Sequence, residues 1–266
     1  MNARQTLPDQ ARSPWPWAWS GAAVGLMAGV ALFAPARWVA AAVDQGSNHQ
    51  IQLRNVRGTV WEGSAQLMFS GGTGSQDAVE LPGTLHWRLT PQWSHLALQV
   101  RSDCCTPQPV AMQLAPLGWG GARLSVGDHQ SQWPASLLSG LGTPWNTVQA
   151  AGQLTVSSKD FSSQWVQGRS QMAGSIQLDA TDISSRLSTL QPMGSYRVTL
   201  QGDNGVQLRL ETLEGSLQLS GQGQWVGDRL RFEGEARAQA DRVEALSNLL
   251  NIIGRREGAR SIIKVG

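Results

Sequence analysis

The sequence predicts a mainly β fold: an elongated, curled antiparallel sheet with a few short helices, behind one N-terminal transmembrane helix. Three observations carry that expectation. Past residue 50, apolar side chains recur at every second position, the period of strands with one buried face. The composition, with 30 Gly, 12 Pro and 15 % charged residues, suits turn-rich strands. A helical bundle would need more Glu, Lys and Ala. Finally, Trp15 to Ala34 (WPWAWSGAAVGLMAGVALFA) is a run of 20 residues without a charge. At ~1.5 Å per residue it matches a hydrocarbon core of about 30 Å.

Trp15, Trp17 and Trp19 stand at one edge of that run and Trp38 at the other, where indoles favour the headgroup region. Pro35 and Arg37 mark the exit. A cleaved secretory signal has an apolar core of only ~7–15 residues, so although Ala40-Ala41-Ala42 resembles a cleavage site, the segment reads as a retained anchor. The chain then divides into a short cytoplasmic tail (1–14), an anchor and its exit (15–43), and a periplasmic β-domain (44–266). Orientation rests on Arg4, Arg12 and the amino terminus staying inside, opposed by Asp9 and by Arg37 on the far side. The expected location is the bacterial inner membrane, single pass, with the bulk of the chain in the periplasm.

The strand pattern begins with the row Trp61, Gly63, Ala65, Leu67 and Phe69. Leu85, Trp87 and Leu89 follow, opposed by Thr84, His86 and Arg88. Shorter rows are Leu96-Leu98-Val100, Leu154-Val156, Ile176-Leu178-Ala180, Tyr196-Val198-Leu200 and Val206-Leu208-Leu210. In the last hairpin Leu217, Leu219, Gly221, Gly223 and Trp225 face one way. After a Val226-Gly227-Asp228 turn, Leu230, Phe232, Gly234, Ala236 and Ala238 face the core, while Arg229, Arg231, Glu233, Glu235 and Arg237 face water. Glycine-led instances at Gly58, Gly83, Gly152, Gly174, Gly194 and Gly215 are irregularly spaced, which favours a meander curling over its own apolar face rather than a solenoid or propeller. Three short helices are expected. One is weak, over 134–141. The second is capped by Asp182, carries Ile183, Leu187 and Leu190 on one face, and stops at Pro192. The third opens on a capping box of Asp241 and Glu244, continues through Val243, Leu246, Leu250 and Ile253, and ends at Gly254. A strand from Arg260 to Val265 closes the pattern.

Beyond residue 43 there remain 18 basic and 18 acidic side chains, a neutral domain with no electrostatic footprint for nucleic acid. Adjacent Cys104 and Cys105 cannot staple a fold, since the ring they close spans no chain. A surface turn carrying a vicinal disulfide, two free thiols, or a bridge to another chain remain open. No catalytic centre is visible. The four histidines (His49, His86, His95, His129) lack metal-ligand spacing, although His86 and His95 could face each other across a hairpin through Thr90-Pro91-Gln92. Neither a Gly-x-Ser-x-Gly elbow nor a phosphate-binding Gly-rich loop occurs. The expectation is no catalytic residue, no metal and no cofactor; a hydrolase would need a Ser, His and Asp cluster to appear in space.

Two features stand above this background. Gly58-Thr-Val-Trp61-Glu-Gly63 places a large indole beside glycines on the core face, most simply as a packing anchor at a turn. At the C-terminal end, Arg255, Arg256 and Arg260 follow LLNIIG and form a basic corner for a partner or lipid headgroup. These stretches resemble the type II secretion system protein N (GspN) family. So do Pro35-Ala-Arg-Trp38, Pro192-Met-Gly194-Ser-Tyr196-Arg-Val198, the hairpin LQLSGQGQWVGDRLRFEG and the Arg260-Ser-Ile-Ile263 tail; residues 100–150 match least. The resemblance implies a non-enzymatic inner-membrane component of the machine that exports folded proteins. Its periplasmic domain would serve interaction or scaffolding with other platform or secretin proteins, and its architecture would be AsmA-like, an open groove. A second hypothesis is an AsmA-like lipid-binding or lipid-transfer module, with Trp61, Leu67, Phe69, Trp225 and Phe232 lining a groove for a phospholipid. Candidate contacts for partner or lipid are thus Trp61, Trp225, Phe232, Arg255, Arg256 and Arg260.

Overall fold

The computed structural model describes residues 15–75, 77–202, 205–226 and 229–266. The tail over 1–14, the Asp9, Arg4 and Arg12 argument, and the centre of the 226–228 turn lie outside them. Helix α1 (Trp15–Leu32) and helix α2 (Arg37–Gly46) precede a single antiparallel sheet. Its strands are β1 (Ile51–Gly58), β2 (Glu62–Ser70), β3 (Ala78–Glu80), β4 (Leu85–Pro91), β5 (Leu96–Ser102), β6 (Val110–Leu117), β7 (Gly121–Val126) and β8 (His129–Pro134). A 3-10 helix (Ala135–Leu141) and α3 (Trp145–Val148) lead to β9 (Ala151–Val166), β10 (Arg169–Ser184), β11 (Gly194–Gly202), β12 (Val206–Gly215), β13 (Leu217–Val226) and β14 (Arg229–Ala238). Helix α4 (Ser247–Ile253), β15 (Arg255–Glu257) and β16 (Arg260–Val265) complete the order.

The strands pair as β1-β2-β4-β5-β6-β7-β9-β10-β11-β12-β13-β14-β16-β15, with β3 on β2 and β8 on β9. This is the expected meander. The end strands β1 and β15 do not pair with each other, so the sheet is not closed. At about 4.8 Å per strand spacing, the path measures roughly 60 Å of arc. Curvature enters through bulges. Register slips between Ala173 and Ser175 opposite β9, where Asp160 and Gly174 both have positive φ. At Gly174 a Cβ would collide with the Asp160 carbonyl. Such an extra residue bends and twists the strand that carries it. Along β9 the buried positions are Leu154 and Ser158 before the bulge and Phe161 and Ser163 after it, so the inward parity changes there.

The last hairpin holds as expected. Leu217, Leu219, Gly221, Gly223 and Trp225 pair with Ala238, Ala236, Gly234, Phe232 and Leu230, and Glu233 meets Lys264 at 3.1 Å on the outer face. Two helix expectations change. Residues 182–184 end strand β10, and the segment from 185 to Pro192 is a loop, not a helix. Ser185 and Ser188 accept the backbone N–H groups of Leu187 and Leu190, each at 3.1 Å, so the serine side chains capture donors that a helix would use. The third helix starts at Ser247 rather than at Asp241, whose carboxylate pairs with Arg242 at 3.1 Å instead of capping. Gly254 ends it in an extended conformation, and a Cβ there would press the Ile262 carbonyl of β16 at 2.5 Å. His86 lies opposite Arg101, and His95 sits in the β4–β5 turn, so these two histidines do not face each other.

Among the described residues no helix is long and apolar enough to cross a membrane. Helix α1 takes 18 residues of the uncharged run. Among its described side chains all are exposed except at Gly29, which is half-buried.

Candidate functional site

A cavity of about 1220 Å3 lies under the C-terminal half of the sheet. Ordinary small-molecule pockets occupy ~300–1,000 Å3. The inward rows of β9 to β14 and β16 form its wall, through Leu154, Leu178, Tyr196, Leu210, Leu219, Phe232 and Ile263. Leu138 of the 3-10 helix, Trp145 and Val148 of α3, and Leu249, Ile252 and Ile253 of α4 close the end where β9 begins. Gly254, Arg255, Glu257, Lys264 and Val265 of the free-edge strands make the rim. The strand alternation therefore builds a lining that is almost wholly hydrocarbon. Tyr196 is the polar exception: its ring is buried, its hydroxyl has no hydrogen-bond partner among the described residues, and burial pushes its pKa up. A buried hydroxyl without a partner costs about 1–3 kcal/mol.

The wall is braced from outside. Asp179 and Arg197 face each other across β10 and β11 and form a bidentate pair at 2.7 and 2.9 Å. The Arg197 guanidinium holds the Asp179 carboxyl below the usual carboxylate value, against the opposing effect of burial.

The six residues singled out in the sequence go to separate places. Phe232 lines the cavity. Trp225 stands two residues along the facing strand from its partner, at an exposed hairpin end. Trp61 belongs to a clasp. The Trp61 indole N–H donates to the Ala31 carbonyl at 2.8 Å, the Val60 N–H donates to Ala34 at 2.9 Å, and the Ala36 N–H donates to Gly58 at 3.1 Å. Trp87 locks the turn from beneath, its indole N–H donating to the Val60 carbonyl at 3.2 Å. Its ring lies over Gly63, where a Cβ would strike it. The turn motif thus ties the end of α1 to the sheet. Leu67 and Phe69 pack in a separate small core with Leu81, Leu137 and Cys105, away from the cavity.

The three arginines do not act as one corner. Arg256 donates to the Ser247 carbonyl at 3.3 Å and to Asn251 at 3.0 Å, tying β15 to α4. Arg260 pairs with Glu257 at 3.2 Å and lies 4.0 Å from Glu235. Arg255, at the cavity rim, has no hydrogen bond or ion pair among the described residues.

A serine and a histidine do meet, in a polar pocket beside β8. Ser158 Oγ lies 2.7 Å from His129 Nδ1 and 2.8 Å from the Gly127 carbonyl. The carbonyl can only accept, so the serine proton points at Gly127 and Nδ1 donates to Oγ. That polarity is opposite to what a nucleophile and its general base require. No carboxylate orients this imidazole among the described residues, where no metal-binding cluster occurs either. Cys104 and Cys105 form a vicinal disulfide in the β5–β6 turn, with Cys104 exposed and Cys105 buried. Next to it, Asp103 accepts from His86, the Thr84 N–H and Arg101 at 3.3–3.4 Å, and these bonds outweigh burial and lower its pKa.

Comparison with known families finds one described as type II secretion system (T2SS), protein N, whose model matches residues 49–263. The match reaches every strand of the sheet, β16 as far as Ile263, and includes the stretch 100–150 that carried least of the sequence resemblance. No curated protein and no solved structure matches the chain.

Proposed function

The chain belongs to the type II secretion system protein N family, and on that premise we propose an inner-membrane component of the secretion platform. Its sheet stands in the periplasm, held by α1 as its single membrane segment, and serves interaction rather than catalysis. The family match over residues 49–263 is the observation that carries this reading. Helix α1 supports the anchor. A helix apolar all round needs an apolar surrounding, and the sheet covers almost none of it. Its 18 residues extend ~27 Å, under the ~30 Å of a hydrocarbon core, and by length and hydropathy together α1 falls short of a full span. The unpaired outer edges of β1 and β15 offer backbone groups that a partner strand from another platform or secretin protein can complete. Co-purification of the tagged full chain from a secreting cell should recover platform or secretin subunits. Consistent recovery of the chain alone would overturn the reading.

The cavity favours a second reading, a lipid-binding module of the AsmA-like class. A wall of Leu, Ile, Val and Phe suits acyl chains, and the unpaired Arg255 at the rim suits an anionic headgroup. Native mass spectrometry after mild extraction should then find phospholipid on the protein, and a cavity that stays empty would exclude it.

A further inference from the structure

Because each strand runs antiparallel to its neighbour, the turns after β1, β4, β6, β9, β11 and β13 gather at one end of the sheet. The loops after β2, β5, β10, β12 and β14 gather at the other. The two ends differ in chemistry. At the first, Trp93 and Trp119 occupy the tips of the β4–β5 and β6–β7 hairpins, both fully exposed, at positions where Gly, Asn or Asp ordinarily serve. Trp165 and Trp225 are exposed near the ends of β9 and β13 in the same row. At the second end, the exposed large apolar groups are Leu213, near the end of β12, and Trp145 and Ile252, which belong to the helices that close the cavity.

Two further facts bear on the first end. The β1–β2 turn that clasps Ala31, Ala34 and Ala36 lies there, so α1 departs from the end that carries the tryptophans. Basic residues flank it as well. Arg123, Arg169, Arg229 and Arg231 fall within three residues of the turns and form no ion pair among the described residues, whereas Glu62 is engaged by Arg88 at 3.0 Å. The sequence adds Asp203 and Asp228 to the intervening turns, so the balance remains basic. Indoles seat in the headgroup layer with the ring in hydrocarbon and the N–H in water, and guanidinium groups bind phosphate.

We propose that this end of the sheet is a membrane-seating rim. With α1 in the bilayer, Trp93, Trp119, Trp165 and Trp225 enter the headgroup layer of the leaflet that α1 exits, and the neighbouring arginines meet anionic phosphates. The partner is a lipid surface, and the inference rests on α1 entering the membrane. The sheet then stands on the bilayer by one end instead of swinging from a tether.

The test uses the full chain in vesicles of phosphatidylethanolamine and phosphatidylglycerol, some with acyl chains brominated near the headgroup. Bromine quenches only indoles at that depth. In Trp93→Ala/Trp119→Ala the quenchable part of the emission should fall, while in Trp133→Phe, half-buried beside the 3-10 helix, it should not. If the double variant in anchored protein loses only unquenched emission, the rim is overturned and the tips face water or protein. If the parent chain does not float with vesicles and shows no quenching at all, the anchor itself fails, a different result.

Discussion

The two halves of the sheet are built from the same alternation and end in opposite states. Under β1 to β5, Ala36 just before α2, Ala65 and Trp87 close a small core with Val39, Leu53 and Val56 around them. Glycine at 63 admits the Trp87 ring, and the clasp turn seals it above. Under β9 to β16 the buried cluster is far larger, running from Ala135 to Leu250, yet it encloses about 1220 Å3 that no side chain fills. The difference lies in what covers the inward face. In the first half a ten-residue amphipathic helix lies against β1. In the second the covering helices are short and sit at one end, so the middle of the curled wall has no opposing layer. Alternation fixes which side chains point inward, and a covering element decides whether they meet anything.

The contrast can be broken most forcefully at Trp87. Trp87→Ala should cost about 3–5 kcal/mol, since the site is tightly filled and cannot collapse, measured by urea unfolding in detergent. A loss below 1 kcal/mol would mean the first half is no better packed than the second. Next is the brace on the cavity wall. Asp179→Asn should cost about 1–2 kcal/mol at neutral pH. The carboxyl is held below its unfolded value of about 3.9, so its contribution is present above that pH and fades as pH falls through the lower folded value. The acid limb of a stability–pH curve should therefore flatten in the variant; an unchanged limb would mean the pair does not titrate with unfolding. Trp61→Phe removes the indole donor to Ala31, at about 0.5–1.5 kcal/mol, and limited proteolysis between residues 33 and 36 should quicken. The smallest change is expected inside the cavity. Val198→Phe adds volume where space exists, so stability should shift by less than about 1 kcal/mol, while any lipid seen by native mass spectrometry is displaced. A loss above 2 kcal/mol would indicate a filled interior.

The last hairpin was legible in the sequence down to single residues, because one face is solvated and the outer charges contrast with the inner row. The final strand was legible for the same reason. β8 was not, since its inward positions begin with His129 and Ser131, and β6 and β7 were passed over although Val110-Met112-Leu114 and Ala122-Leu124-Val126 do alternate. The Asp182–Leu190 helix failed because helical spacing of Ile183, Leu187 and Leu190 says nothing of serine hydroxyls that claim the backbone. The cavity was foreseen only as the groove that the AsmA-like resemblance implies, and of the five lining residues named for it Phe232 alone borders the cavity. Phe232 and Leu210 read identically whether they meet a neighbour or a void, and so the site depends on an absent layer that composition cannot encode. Arg256 looked like a partner contact and is an internal tie, because a guanidinium's targets are three-dimensional neighbours. Of the rim tryptophans only Trp225 stood out in the sequence; Trp93, Trp119 and Trp165 gained meaning when the strand order placed all four at one end.

The bulge at Asp160 and Gly174 behaves like a frameshift in the hydropathy code of β9. Upstream of it the even-numbered residues read inward, downstream the odd-numbered ones do, and the message makes sense only if the extra residue is retained. Deleting Asp160 would restore a regular ladder in which either Leu154 or Phe161 must change face. Length changes are thus readable in the hairpin tips, where no frame is carried, and garbled at this interior position, where a single residue keeps two halves of a strand in phase with one core.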